Sequence, residues 1–492
     1  MKWLRVGSAV VILTVLLSSC KNNSAGTSKV FSGNYWKEQA LTDIIPFWSK
    51  YSQDTISGAF ITNLDSIWLP FGSSDKYPSM ISRHLFSYSV AYLLSGDEEN
   101  LIIAHNTVKW LLDHAWDKEY GGWFDALDEK GNPVQMTKNT FVQVYTITGL
   151  AMYYFVTHDS TVLKYIDKSN ELLETKVWDY NAGGYFNMMN RDWSVSDSNK
   201  SFSSQITPVS GYLIYLYQAT RDPKYLKQIN KILEVTINNM VDKESGWVLE
   251  SFDKNWKYLP GKEDETEINI GHNIETSWML LRDYLITGNL NHLNSAKSLS
   301  QKINKYGLLQ DKDFWLSNIG RTPLLAFRPD TYWWVQAYGN MFDLYLYHIS
   351  GEKKYLNEFQ GGAVFWDSAF MDKIHGDTYL GVDTAGAIID GKKATQFKTS
   401  YHSMEHCLLN LLCLNLWVND EPVELHFRIT SSRDGEMLFP LPLEDNSIEI
   451  LKVTMGNKDQ TSLIADHQSV RLPLLSNTKI AVQLGNHKKL KK

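Results

Sequence analysis

Six times along the 492-residue chain, at intervals of sixty-odd residues, a turn leads into a short apolar run and then a helix-like stretch. The turns lie at Ser57-Gly58-Ala59-Phe60, Gly121-Gly122-Trp123-Phe124, Gly183-Gly184-Tyr185-Phe186, Ser245-Gly246-Trp247, Asp313-Phe314-Trp315 and His375-Gly376-Asp377-Thr378-Tyr379. Two copies nearly coincide: Trp116-Asp117 precedes the second turn as Trp178-Asp179 precedes the third. Near the start of each following helix stands a polar residue, in order Arg83, Gln143, Gln205, His272, Gln336 and His402, with spacings of 60, 62, 67, 64 and 66 residues. A fixed period of this kind marks one supersecondary unit repeated, each copy burying a face that it cannot bury alone. Six helix pairs that close on themselves make an all-α (α/α)6 barrel, a six-hairpin toroid. One end of its inner ring is then expected to gather an arginine, two histidines and three glutamines into a polar funnel.

Within each unit the apolar residues recur at helical spacing, as in Leu85-Phe86-Val90-Leu93-Leu94 and Trp278-Leu281-Leu285. Many such stretches end in turn chemistry, for example Ser95-Gly96-Asp97, Arg221-Asp222-Pro223 and Thr287-Gly288-Asn289, and a second helical pattern follows. The expected order is therefore turn, short β run, inner helix, loop, outer helix. After Asn419-Asp420-Glu421-Pro422 the period changes to two, in Val423-Leu425-Phe427-Ile429, Ile448-Ile450 and Ile480-Val482-Leu484. This predicts a barrel over residues 35–418 and a small β domain over 421–486, followed by a basic tail from His487 to Lys492.

The chain opens on Lys2 and Arg5, then an apolar run from Ala9 to Leu17 that is too short to span a bilayer as a helix. Leu17-Ser18-Ser19-Cys20 resembles a bacterial lipobox, so residues 1–19 read as a lipoprotein signal peptide, Cys20 as the lipidated residue and 20–34 as a tether. The expected place is the cell envelope, outside the cytoplasm, with the membrane reached through the lipid anchor only and the outer membrane as the site in a cell that has two. A net charge of −7 with no basic stripe argues against nucleic acid. Cys407 and Cys413 lie six apart on one apolar helix, too far for a bridge, and read as core. The 17 Trp and 26 Tyr suit a carbohydrate site as well as a barrel core.

Two segments carry chemistry. Gly271-His272-Asn273-Ile274-Glu275 places an imidazole at a helix start and a carboxylate three residues on, facing the same way. Lys398-Thr399-Ser400-Tyr401-His402-Ser403-Met404-Glu405 repeats the His-x-x-Glu spacing on the sixth inner helix. A carboxylate near an imidazole orients it and sustains its basicity, as a general acid or base requires. The spacing is not that of a His-Glu-x-x-His zinc site, and no metal is expected.

Ser82-Arg83-His84-Leu85, Gly121-Gly122-Trp123-Phe124, Gly271-His272-Asn273-Ile274-Glu275-Thr276-Ser277-Trp278, Trp333-Trp334-Val335-Gln336-Ala337 and Lys398 with Tyr401-His402 resemble the N-acylglucosamine 2-epimerase superfamily, nearest its cellobiose and mannobiose 2-epimerase branch. The resemblance implies cofactor-free proton transfer on the reducing-end sugar of a mono- or oligosaccharide. One histidine takes the C2 proton of the opened ring, a cis-enediolate forms, and the other histidine returns a proton from the opposite face. Carried over by position, His272 and His402 are the acid/base pair, Glu275 orients a histidine or assists ring opening, and Arg83 stabilises the enediolate oxygen. Trp333, Trp334, Gln336, Tyr401, Gln205, Gln143, Trp123 and Glu405 form the substrate-binding set. Three positions depart from the family pattern: Gln205 stands for a histidine, Tyr338 for a glutamate and Glu405 for an arginine. An aldose–ketose isomerase returning the proton to C1 fits the same residues. The alternatives are a glycoside hydrolase using Glu275, Glu405, Asp125 or Asp128, and a sugar-binding lipoprotein without catalysis.

Overall fold

The computed structural model describes residues 29–261, 266–309, 312, 314–321, 330–431, 435–456, 458–473 and 476–486. Cys20, the leader, Asp313 and the basic tail lie outside the described residues. Among those described, the body is made of twelve helical segments that alternate outer and inner positions. The outer ones are α1 (Gly33–Glu38, continued by Gln39–Ile44 and Ile45–Tyr51), α3 (Glu98–Trp110), α5 (Ser160–Leu172), α7 (Pro223–Val235), α9 (Leu290–Lys302) and α11 (Lys353–Phe365). The inner ones are α2 (Pro78–Ser95), α4 (Thr140–Thr157), α6 (Phe202–Gln205, resuming through Val209–Leu213 and Ile214–Thr220), α8 (Ile270–Thr287), α10 (Trp333–Ser350) and α12 (Tyr401–Leu412). Each inner helix packs on the next, and α12 packs on α2, which closes the ring. Val30 and Trp36 are fully buried and α1 begins at Gly33, so the barrel starts inside the span expected to be tether.

Local chemistry accounts for the hairpins. Inner helices end on left-handed residues, Gly96, His158, Arg221, Gly288 and Gly351. Asp97, Asp159, Asp222 and Asn289 then cap α3, α5, α7 and α9, each side chain accepting a hydrogen bond from the new helix's first turn. Inner helices approach closely where a small residue permits it. A Cβ on Gly149 of α4 would sit 1.8 Å from the Ser82 carbonyl oxygen of α2.

The turns at the opposite face share a buried ion pair. Asp54, Asp117, Asp179 and Asp372 each accept turn N–H groups on one oxygen and a buried lysine on the other. The lysines are Lys76 at 2.6 Å, Lys138 at 3.1 Å, Lys200 at 2.8 Å and Lys393 at 2.9 Å, each 21 or 22 residues further along. Each pair thus pins a turn to the segment that leads into the next inner helix, a short strand at Lys138 and Lys200. Burial alone would raise the Asp117 carboxyl, but hydrogen bonds from Arg191 and Lys138 outweigh it and hold it at about 2.

Tryptophans rivet one repeat to its neighbour. The indole N–H groups of Trp193, Trp256 and Trp68 donate to the carbonyls of Tyr120, Ala182 and His375, at 3.0, 2.9 and 2.7 Å. Gly122 and Gly184 have positive φ and lie under these rings, where a Cβ would come within 2.4 and 2.5 Å of Trp193 and Trp256. The Trp68 rivet joins the first repeat to the last. Trp48 to Asp377 (3.0 Å), the bridge Leu64–Ala394 and Trp366 to Gln39 (2.9 Å) reinforce that seam.

Beyond Asn419 the chain forms an antiparallel sheet in the order Val423–Ser431, Ser476–Asn486, Ile448–Met455, Lys458–Asp459, with a second pair, Gly435–Leu438 and Ser469–Leu472. Val423, Leu425, Phe427 and Ile429 point inward as their alternation predicts. This domain covers the end of the barrel away from the turns, against α2 and α4. Replacing Lys200 by Met leaves Asp179 buried without its ion pair, an effect of about 3 kcal/mol. Chemical denaturation monitored by far-UV circular dichroism is expected to show the lowered midpoint.

Candidate active site

The six polar residues of the sequence repeat divide into two groups with different jobs. Gln143, Gln205 and Gln336 are buried and grip the main chain of their own repeat's turn. Gln143 accepts from the Trp123 N–H at 2.9 Å and donates to the Trp123 carbonyl at 2.7 Å. Gln205 does the same to Tyr185 at 2.9 and 2.8 Å, and Gln336 does so to Trp315. In the fourth repeat the matching residue is Asn273, clasping Val248. The glutamines are therefore structural clamps and not part of the funnel, which corrects their place in the substrate-binding set. Trp123 is corrected with them: it is fully buried, its indole donating to Ser169. His272 precedes the clamp position by one residue, and that offset of about 100° on a helix turns it off the clamp face.

His272 and His402 both meet Trp334, with ring centroids 5.3 and 6.3 Å away. Their surroundings differ. His272 is partly exposed, lies flat on Phe202 (4.0 Å, 12°), and shares its Nδ1 with the Glu250 carboxylate at 2.8 and 3.0 Å. Glu275, expected to orient this ring, instead accepts a hydrogen bond from Ser210 at 2.6 Å. Glu250 was missed in the sequence although a signal exists. It stands two residues after the clamped Val248, where the second, third and fifth repeats carry short polar residues, Asp125, Asn187 and Ser317. Only Glu250 is long enough, and placed, to reach a histidine.

His402 is nearly buried among Trp333 (5.7 Å), Tyr338 (5.1 Å) and Tyr401 (4.7 Å), and its Nδ1 has no hydrogen-bond partner. Burial, then the charges of Arg83 and Lys398, hold it far below the ordinary histidine range, so it is neutral. Arg83 lies over the Tyr145 ring at 4.7 Å and spends its donors on carbonyls: Ser79 at 3.2 Å, Phe397 at 2.7 Å and Gln396 at 2.8 Å. Through Phe397 and Gln396 it ties down the 395–398 loop, its charge acts on His402, and two of its five N–H groups are not spent on these carbonyls. Lys398, fully buried, pairs with Asp377 at 3.2 Å, and burial brings it down to about 8 against that pairing.

Below the histidines two carboxyls are sealed in the barrel. Burial raises Glu275, opposed by His272 and Ser210. Glu405 is pushed up to about 7 by burial, against a 2.5 Å hydrogen bond from Tyr215 and the charge of Arg282. Glu405 is fully buried, and Glu275 is about as buried as His402. Asp125 and Asp128 hold turns, accepting from the N–H groups of Asn139, and of Lys130 and Asn132. A cavity of about 400 Å³ is lined by Phe141 and Phe397 with Asn139, Asn187, Ser203 and Ser204. Among the described residues no three His, Cys, Asp or Glu side chains gather as metal ligands.

Residues 60–406 match the family model described as N-acylglucosamine 2-epimerase (GlcNAc 2-epimerase). A cellobiose 2-epimerase of Bacteroides fragilis is 24% identical over 394 residues, spanning 76% of this chain and 96% of that one. A D-mannose isomerase of Marinomonas mediterranea is 23% identical over 345 residues, 68% of this chain and 86% of that one. The structure of a cellobiose 2-epimerase from Spirochaeta thermophila superposes with a TM-score of 0.71 at 22% identity, covering 78% of this chain and 96% of that one. Replacing Gln205 by Ala, which strands two buried main-chain groups of Tyr185, is expected to cost about 2–3 kcal/mol in thermal or chemical unfolding. Replacing it by Glu keeps an acceptor for the Tyr185 N–H and is expected to recover part of that loss.

Proposed function

The chain belongs to the N-acylglucosamine 2-epimerase family, and from that membership we propose that it is a sugar 2-epimerase or aldose–ketose isomerase working on a reducing-end sugar by histidine-mediated proton transfer. The observation that carries this reading is the unequal pair of histidines that both meet Trp334. His402 is neutral, so its lone pair is open to a proton, though burial and the two cations weaken it as a base. His272 has its Nδ1 on the Glu250 carboxylate, which orients the ring and favours its protonated form. With the sugar ring open, His402 takes the proton from C2 and the C–H electron pair moves into a C1–C2 double bond. The carbonyl oxygen on C1 becomes the enediolate oxygen. Return of a proton by His272 to the other face of C2 inverts that centre, while return to C1, with the C2 hydroxyl proton passing to the C1 oxygen, gives the ketose. In the reverse direction the two exchange roles.

The buried charges of Arg83 and Lys398 favour the enediolate over the neutral sugar by their field. Trp334 and Phe397 offer ring faces to the sugar, and the cavity between Phe141 and Phe397 has room and amide groups for further sugar units. The hydrolase reading loses its candidate acids to turn-holding and to the barrel interior.

Incubating residues 29–492 with mannobiose, cellobiose, mannose and glucose in D2O is expected to replace the C2 proton with deuterium and produce the epimer or the ketose, followed by NMR. Retention of the C2 proton on all four sugars would refute the reading. His272→Ala and His402→Ala are each expected to lower the exchange rate by about 10²-fold or more, with the folded circular dichroism spectrum kept.

We also propose that the protein is carried at the cell envelope on a lipidated Cys20, a reading supported by Leu17-Ser18-Ser19-Cys20 and the run before it. Metabolic labelling with an alkyne palmitate in a bacterial host is expected to mark the wild-type chain and not Cys20→Ala. An unlabelled wild type sinks this assignment.

A further inference from the structure

The C-terminal β domain reaches into the barrel with one charged side chain. Glu444, from the segment between Gly435–Leu438 and Ile448–Met455, has a fully buried side chain and receives Arg282 of α8 through Nε at 3.0 Å and a terminal nitrogen at 2.6 Å. Gln218 of α6 donates to the same oxygen at 2.7 Å, and Tyr345 of α10 donates to the other at 2.6 Å. Three inner helices are thus tied to one carboxylate that the barrel itself does not supply. The guanidinium of Arg282 lies over the Tyr215 ring at 5.3 Å, and the Tyr215 hydroxyl donates to Glu405. Glu405 stands three residues after His402 on α12, on the same helix face.

We propose that the β domain completes the active site from beneath: Glu444 occupies Arg282, and in doing so leaves Glu405 free to gain and lose its charge one helical turn from His402. This rests on the proton-transfer reading above. Glu444 and Arg282 are positioning residues that act through Glu405.

The charge matters because His402 becomes an imidazolium when it takes the sugar's proton. Arg83 and Lys398 oppose that cation, and an ionised Glu405, three residues on and on the same helix face, would offset them. The groups that face Glu405 are Tyr215 from α6, Arg282 and Glu275 from α8, Tyr145 from α4, Tyr338 from α10 and Tyr401 from its own helix. Arg282 is the cation among them and draws Glu405 down, and Glu444 holds it through two hydrogen bonds. Burial keeps Glu405 near 7, so activity should rise as pH increases through that value and fall below it.

Glu444→Gln unmasks Arg282, and the acid limb of the sugar-exchange rate is expected to move down by about one pH unit or more. Arg282→Met removes the attraction and is expected to move the limb up. Infrared titration of the protonated carboxyl C=O band in sugar-free protein reads Glu405 directly, with Glu405→Gln identifying the band, and it should shift in the same two directions. Where Glu444→Gln fails to fold, the Arg282→Met/Glu444→Gln double variant leaves neither charge buried, and its limb and band should lie above those of the wild type because the nearer charge is the one lost. Limb and band unmoved in every variant that folds, or moved the same way by both single changes, would overturn the proposal. A band that shifts as stated in a protein that exchanges no sugar proton overturns the catalytic reading and leaves the coupling standing.

Discussion

Everything at the working end of this barrel hangs on a lysine buried against an aspartate. Taking an ammonium and a carboxylate out of water costs several kcal/mol each, and only tight geometry with every acceptor used returns that cost. The Asp117, Asp179 and Asp372 turns meet the requirement, one oxygen holding turn N–H groups and the other a lysine at about 3 Å. The pair therefore favours one arrangement of turn and inner helix, and among the described residues four of the six repeats carry it. The glutamine and asparagine clamps add a second tie at the same level, and the tryptophan rivets pass the register from each repeat to the next.

That rigidity is what allows the two histidines to differ. Both sit near the starts of inner helices two repeats apart, yet one is propped by Glu250 at an open edge and the other is sealed among aromatic rings under two cationic side chains. A loosely held loop could not sustain a neutral imidazole beside Arg83 and Lys398, because water would enter and screen both charges. Arg83 shows the same economy, since its donors secure the loop that carries Phe397 while its charge still acts on His402.

The β domain extends this principle to the far end of the barrel. A ring of inner helices leaves its closed end short of polar partners for Arg282 and Tyr345. Glu444 accepts hydrogen bonds from both from outside the repeat. The charge chain from Glu444 through Arg282 to Tyr215 and Glu405 runs inside protein, where low effective dielectric lets charges act over several ångströms.

The period of the chain determined the barrel, its hairpin order and the face on which chemistry gathers, because a repeated unit has one way to bury its apolar face. Helix ends at Gly96, Asp222 and Asn289 were equally local, set by backbone freedom and capping. His272 and His402 could be picked out by their phase in the repeat. What sequence alone did not decide was which side chain each polar residue would meet. Gln143 and Gln205 lie in the same phase as the histidines to within one residue, and a rotation of about 100° sends them to the turns instead. Glu250 is 22 residues before His272, Glu444 is 162 residues beyond Arg282, and Glu275 is three residues from the histidine it does not touch. Such pairings depend on directions fixed only when the ring closes, so it was the tertiary structure that chose them.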